Sequence, residues 1–178
     1  SKEAVQRYTN KYLSRQYASE QGIPTPQFYK AESIEAVKKI VSDFGRPMIL
    51  KPVDSQSSRG IFKIDKGDID KIDELAALTF KESREPYILV EEFFEGTELT
   101  VEGICSNGKH KTLAISQKKH FRTGIASDLI YPAELPAEIE SAIIKYDDKY
   151  VEASGLTFGI THAEYLYNAT TGKICLVE

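Results

Sequence analysis

A chain of 178 residues, 41% hydrophobic and 28% charged, has the make-up of an ordinary soluble globular protein with room for one good core or two small lobes. Its net charge of −4 argues against a nucleic-acid partner, and no apolar run approaches the length of a membrane span. Cys105 and Cys175 lie in apolar, strand-like runs without metal spacing and with no signal peptide before them, which fits a reduced, cytoplasmic protein.

The spacing of Tyr12, Leu13, Gln16 and Tyr17 predicts a helix over residues 9–21, stopped by Gly22. The prolines of Gly22-Ile-Pro-Thr-Pro26 fix a rigid extended turn, and residues 27–31 form a short strand. Ser33 caps a second helix, with Ile34, Val37, Ile40, Val41 and Phe44 as its apolar stripe and Gly45 as its stop. Met48 to Leu50 is a buried strand, and a further strand resumes at Ile61, Phe62 and Ile64. A third helix is expected from Asp68 to about Phe80 on Ile69, Ile72, Leu75 and Leu78. Residues 87–92 read as a buried strand that ends abruptly in Glu91 and Glu92. From Gly96 onward, Leu99, Val101 and Gly103 alternate with Glu98, Thr100 and Glu102, so one face is apolar and the other acidic. Asn107-Gly108 marks a hairpin turn, and Lys111 to Gln117 the returning strand. Residues 118–132 show no period and read as a long loop. Pro136 opens a fourth helix through Ile139, Ile143, Tyr146 and Tyr150, which Gly155 stops. A last hairpin runs out over 158–167, turns at 168–172 and returns over 173–178. Its turn contains the sequon Asn168-Ala-Thr170, read simply as turn residues. The order predicts an α+β protein of two lobes, residues 1–95 and 96–178.

Two stretches point to chemistry. Lys51 ends the strand at Met48 and is followed by Asp54-Ser-Gln-Ser-Ser-Arg-Gly60, a polar loop leading into the next strand. Such a loop can turn backbone N–H groups inward as an anion-binding concavity, beside which a lysine supplies a compact charge for phosphate oxygens. The alternative is a surface hairpin with Lys51 in water. No Walker loop and no G-x-G-x-x-G occurs.

The second stretch is the last hairpin. Alternation puts His162, Glu164 and Leu166 on one face and Ile174, Leu176 and Glu178 on one face of the return strand. With the turn centred on Thr170 or Thr171, facing residue numbers sum to 340 or 342, and both registers put the two sets on one side of the sheet. Glu164 and Glu178 then oppose each other at about 5 Å or sit diagonally at roughly 7 Å between Cβ atoms. Two carboxylates so placed on an apolar face, joined by phosphate oxygens, suit Mg²⁺, with Mn²⁺ as a second possibility. The alternative is an outward-facing polar pair. His162, on the same face, is read as a packed, hydrogen-bonded residue.

The succession of helix, G-I-P-T-P, strand–Lys51–loop–strand, V-E-E-F-x-E-G-x-E over 90–98 and the late glutamates 164 and 178 resembles an ATP-grasp domain over nearly all of the chain. It is similar to the branch holding carbamoyl-phosphate synthetase, biotin carboxylase and phosphoribosylglycinamide synthetase. The resemblance implies two α+β lobes clamping ATP. It gives Lys11 and Lys51 to the phosphates, together with the loop residues Ser55, Ser57, Ser58 and Gly60. Glu91, Glu92, Phe93 and Phe94 become the adenine hinge, Glu98 the ribose carboxylate, and Glu164 and Glu178 the metal-bridging pair. Gln117, His120 and Arg122 resemble a cluster near substrate and γ-phosphate, so the resemblance assigns catalysis to Lys51, Arg59, His120 and Arg122.

The implied parent activity is a carboxylate–amine ligase acting on small molecules through an acyl phosphate, with no nucleic-acid or membrane partner. Bicarbonate activation and a non-catalytic nucleotide-binding module are the alternatives. The serine-rich phosphate loop departs from the glycine run of biotin carboxylases. The family continues past the second glutamate with E-x-N and an arginine, whereas this sequence stops on Glu178. The expectation is a truncated core, inactive alone and lacking flanking domains of the same protein.

Overall fold

The computed structural model describes residues 2–55, 59–122 and 125–178. The chain divides into two compact units, one made of residues 6–15 and 26–93 and the other of residues 1–5, 16–25 and 94–178. Segments 1–5 and 16–25, which the sequence reading gave to the first lobe, thus belong with the later unit. For residues 16–25 the reason lies in the core, where Tyr17, Ala18 and Ile23 pack with Leu99, Tyr150 and Tyr165.

In the first unit, β1 (Phe28–Ala31), β2 (Met48–Pro52), β3 (Phe62–Ile64) and β4 (Ile88–Glu92) form an antiparallel sheet in the order β1-β4-β2-β3. Met48, Leu50, Ile64, Ile88 and Val90 form a core with Val37 and Val41 of α3 (Ile34–Phe44) and Ile72 and Ala76 of α4 (Ile72–Glu82). The ends of α3 follow its sequence: the Ser33 hydroxyl accepts from Ala36 N–H, and Gly45 takes φ 66° to close the last turn. The helix expected over 9–21 is α2 (Lys11–Glu20), and a helix not expected from the sequence, α1 (Lys2–Thr9), precedes it; Asn10 separates the two, its side chain accepting from Leu13 N–H. The start of α4 also differs from expectation. Residues Lys66–Lys71 form a 3₁₀ turn closed by an Asp65–Asp68 capping box. Ile69 is therefore turned to solvent, and Leu78 is exposed as well, while Ile72, Ala76 and Thr79 are the buried residues of the helix.

The second unit is an antiparallel sheet in the order β7-β6-β5-β8-β9. Its strands are β5 (Thr97–Ser106), β6 (Lys109–Arg122), β7 (Ile125–Ile130), β8 (Phe158–Asn168) and β9 (Lys173–Leu176). Leu99, Val101, Cys105, Tyr165 and Leu176 pack on Ile143, Tyr150 and Val151 of α5 (Ala137–Ala153). Asn107 and Gly108, both at positive φ, make the two-residue turn between β5 and β6. Within the stretch 118–132, expected as a loop, residues through Arg122 instead end β6 and Ile125–Ile130 form edge strand β7, whose polar residues hide the alternation. No helix among the described residues is long and apolar enough to cross a membrane.

Register in the last hairpin corrects the sequence reading. The turn holds four residues between Asn168 and Lys173, so facing numbers sum to 341. Ile174 and Leu176 therefore join Tyr165 and Tyr167 on the core face, not Glu164 on the other. A bulge then moves the register by one at the chain's end. Val177 N–H (2.8 Å) and Glu178 N–H (3.2 Å) both donate to Glu164 O, and Glu164 N–H donates to Glu178 O at 2.7 Å. Residues that exchange both backbone bonds face each other directly, so Glu164 and Glu178 are opposed, by the bulge rather than by the turn.

Candidate functional site

Each unit carries part of the predicted residue set. In the first, Lys51 and Glu91 lie diagonally on the β2–β4 face opposite the α3–α4 core. Glu91 is 1% exposed and accepts from Arg15 Nε of α2 at 3.0 Å and from Lys51 Nζ. Burial works against its ionisation, but Arg15 and Lys51 outweigh it and hold the carboxyl below the usual glutamate value. Two cations share this anion, and Lys51 is the more accessible of the two. Lys11 is drawn to the same strand end. Its N–H donates to Val53 O at 2.7 Å and its Nζ to Ser55 O at 3.1 Å.

The loop after β2 is anchored at both edges. Asp54 accepts from Arg84 N–H (3.1 Å), and the Ser55 hydroxyl donates to Arg59 O (3.2 Å). Gly60, at φ +70°, donates nothing to strain: a Cβ there would lie 2.9 Å from both Pro52 Cγ and Glu82 Cβ, so glycine alone fits the site and its conformation. The Arg59 side chain is exposed. Ser57 and Ser58 lie outside the described residues.

The hinge residues are arranged differently from expectation. Glu91 is taken up by Arg15 and Lys51 and has no exposed carboxylate to offer an adenine edge. Glu92 points to the opposite face, level with Met48, and pairs with Arg46 at 3.0 Å. Phe93 donates its N–H to Pro47 O at 3.0 Å, and its ring lies 4.3 Å under Lys63 Nζ. Phe94 begins the next unit and is partly buried.

The second unit presents an acidic face, away from α5. Across β5 and β8, Thr100 opposes Glu164 and Glu102 opposes His162, with Glu98 diagonal to Glu164. Lys118 of β6 donates to Glu98 Oε1 and Glu164 Oε1, each at 2.5 Å. Burial lowers the stability of its charge, but the two carboxylates prevail and raise its pKa above the usual lysine value. His162 Nδ1 lies 2.7 Å from Glu102 Oε1, and its Nε2 lies 3.8 Å from Glu164 Oε1. The order along the face is Glu98, Lys118, Glu164, His162, Glu102. His162 is thus hydrogen-bonded, as expected, but half-exposed rather than packed. Gln117 is level with Leu99, on the core side, so the sheet does not bring it to Glu98. His120 and Arg122 stand at the end of β6 opposite Ala126 and Ile125, and their side chains lie outside the described residues.

The donor set suits a hard divalent cation completed by other oxygens. Glu164 and Glu178 oppose each other, and beside Glu164 the Thr100 hydroxyl is buried with no hydrogen-bond partner among the described residues. No group of three or more His, Cys, Asp or Glu among the described residues is placed to hold a metal unaided. Mg²⁺ fits such a two-carboxylate site, because it commonly takes one or two carboxylates plus phosphate oxygens and water.

Sequence reasoning missed Arg15 and Lys118. Arg15 lies one helical turn after Lys11, a spacing that would have placed both on one side of α2.

A family model of the ATP-grasp domain matches residues 44–178. The chain belongs to the ATP-grasp family. It is 26% identical over 185 residues to a D-alanine–D-alanine ligase of a Thermoanaerobacter species, covering 95% of this chain and 50% of that protein. It spans about half the length of the curated relatives it matches. The D-alanyl-alanine synthetase A of Vibrio cholerae superposes with a TM-score of 0.83 at 21% identity, over 99% of this chain and 55% of that one. A biotin carboxylase βγ-ATP complex from Campylobacter jejuni gives 0.85 at 18% identity, over 96% and 39%. Both ATP-grasp structures share the fold of two antiparallel sheets with helices.

Proposed function

We propose that this chain is the nucleotide- and metal-binding core of an ATP-grasp ligase that activates a carboxylate for attack by an amine. The carrying observation is the acidic face, on which Glu98, Glu164 and Glu178 are set by strand register and a terminal bulge. In this reading Lys11 and Lys51 neutralise phosphate oxygens, Glu98 accepts from the ribose hydroxyls, and Glu164 and Glu178 hold Mg²⁺. The metal would supply charge neutralisation at the phosphates. Glu91 takes a different part from the one its place in the hinge suggested. It fixes the Lys51 ammonium at the strand end, so that little side-chain freedom is lost when phosphate arrives.

The reaction this serves transfers the γ-phosphoryl group of ATP to a carboxylate oxygen, releasing ADP. An amine then attacks the acyl carbon and phosphate leaves. Positioning and charge complementarity are the protein's main contributions to such a transfer. The curated relatives are named as joining two D-alanines, a carboxylate–amine ligation, and this supports the amine over bicarbonate chemistry.

Calorimetry with Mg·ADP tests the reading. The chain should bind it, Lys51→Ala should lose about 1.5–3 kcal/mol as a charge-assisted contact does, and Glu164→Gln should lose the Mg²⁺ dependence of binding. Unchanged metal dependence in Glu164→Gln would remove the carboxylate face from the site.

A further inference from the structure

One ammonium on the acidic face serves two carboxylates that the proposed function gives to different parts of the ligand. Lys118 Nζ lies 2.5 Å from Glu98 Oε1 and 2.5 Å from Glu164 Oε1, with only about a fifth of its side chain exposed. Among the described residues, the other titratable neighbours of Glu164 on its face are His162, 3.8 Å from the same oxygen, and Glu178 across the bulge. The Glu164 carboxylate is therefore already engaged by a cation held in place at two points. A divalent ion binding there must sit at about 2 Å from a carboxylate oxygen. That places two further positive charges within a few ångströms of the ammonium, in a half-buried position where screening by solvent is weak.

We propose that Lys118 is an internal competitor of the divalent metal at Glu164, which makes metal binding weak until the nucleotide's phosphates supply compensating negative charge. This rests on the assignment of Glu164 as a metal ligand. Lys118 then acts as a positioning residue that imposes an order: nucleotide strengthens metal binding by more than its own donor oxygens account for, and by linkage the metal tightens nucleotide by the same factor. Glu98 holds the ammonium by its second hydrogen bond, so the same lysine also ties the ribose-binding carboxylate to the state of Glu164.

The test is titration of the 178-residue chain with Mn²⁺ alone, followed by the loss of the free-ion electron paramagnetic resonance signal, and then the same titration at saturating ADP. Lys118→Met removes the charge and keeps much of the stem. Lys118→Arg keeps the charge and both anchors, and guards against reading a folding defect as an effect on metal. Lys118→Met is expected to bind Mn²⁺ alone at least tenfold more tightly than the parent, and to show a smaller gain on adding ADP. Lys118→Arg should behave as the parent. Glu164→Gln should lose most of the Mn²⁺ affinity in every background. Unchanged or weaker Mn²⁺ binding in Lys118→Met, alongside a clear loss in Glu164→Gln, would overturn the competition and leave the metal site standing. No loss in Glu164→Gln would overturn the metal assignment itself, and the competition with it.

Discussion

At the scale of single residues, two buried carboxyls respond to pH in opposite senses. Glu91, between Arg15 and Lys51, has its folded pKa below the usual glutamate value. A depressed carboxyl stabilises the fold above its unfolded pKa, near 4.5, and loses that contribution as pH falls through the lower folded value. Glu91→Gln leaves two buried cations side by side, and should cost roughly 3–5 kcal/mol at neutral pH in urea unfolding, as broken buried pairs do. Asp147 of α5 is the reverse case. Burial raises its pKa to about 6 against the pull of His110, whose Nδ1 lies 3.8 Å away, and Asp148 adds to the rise. Tyr165, pushed well above the usual tyrosine value by burial and by Asp147, faces the same carboxyl. Thr112 donates to Asp147 from β6, while Glu152 accepts from the His110 backbone. A raised carboxyl stabilises the fold below its unfolded pKa and loses that contribution as pH rises through about 6. The advantage of Asp147→Asn over the parent should therefore grow between pH 4 and pH 7, by up to about 3 kcal/mol. Equal pH slopes for the two proteins in thermal melts would contradict this account.

At the scale of elements, bulges decide which residues meet, and they are what a sequence conceals. The Asn107-Gly108 turn was legible, and it pairs Ser106 with Lys109. Counting back from that pair sets Gln117 opposite Glu98. The strand instead inserts Leu113 between Thr112 and Ala114, so Gln117 meets Leu99 and Lys118 is left for Glu98. The same applies to β8 and β9, where the turn set a parity that opposed the metal reading until Val177 added a residue. Caps and stripes, such as Ser33, Gly45 and the buried face of α3, depend on residues close in sequence and were readable for that reason. Arg15 beside Glu91 depends on a contact 76 residues apart and was not. Gly103, beside the bulge, leaves room by its missing Cβ for His110, bonded through Nε2 to Thr161 at 2.7 Å and through Nδ1 to Asp148 at 2.7 Å. A Cβ at Gly103 would lie 2.2 Å from that Nε2 and 2.7 Å from Thr161 Oγ1. Gly103→Ala should thus expel the imidazole and cost about 1–3 kcal/mol by overpacking. Combined with His110→Ala the cost should fall below the sum, because the ring that clashes is gone. An additive pair of losses in denaturant melts would show that the two positions do not share this space.

At the scale of the whole molecule, two units with separate cores carry complementary chemistry. The first gathers Arg15, Lys51 and Lys11 near the end of β2, and the second gathers the carboxylates of Glu98, Glu164 and Glu178 on its acidic face. The proposed function gives the phosphates of the nucleotide to the first set, and its ribose and metal to the second. Binding to the native state stabilises by RT ln(1 + [L]/Kd), about 2.7 kcal/mol at a ligand concentration of a hundred times Kd. If Mg·ADP engages only the first unit, slowed hydrogen exchange will be confined to segments such as β2 and β4 and the opening of α2. The expected result is protection in β5 and β8 as well, around Glu98 and Glu164, at the same ligand concentrations. In Glu164→Gln the protection of β8 should weaken at a given ADP concentration more than that of β2, since the phosphate contacts proposed for Lys51 would remain. Retention of full β8 protection in that variant, with β2 protection intact, would separate the acidic face from the nucleotide.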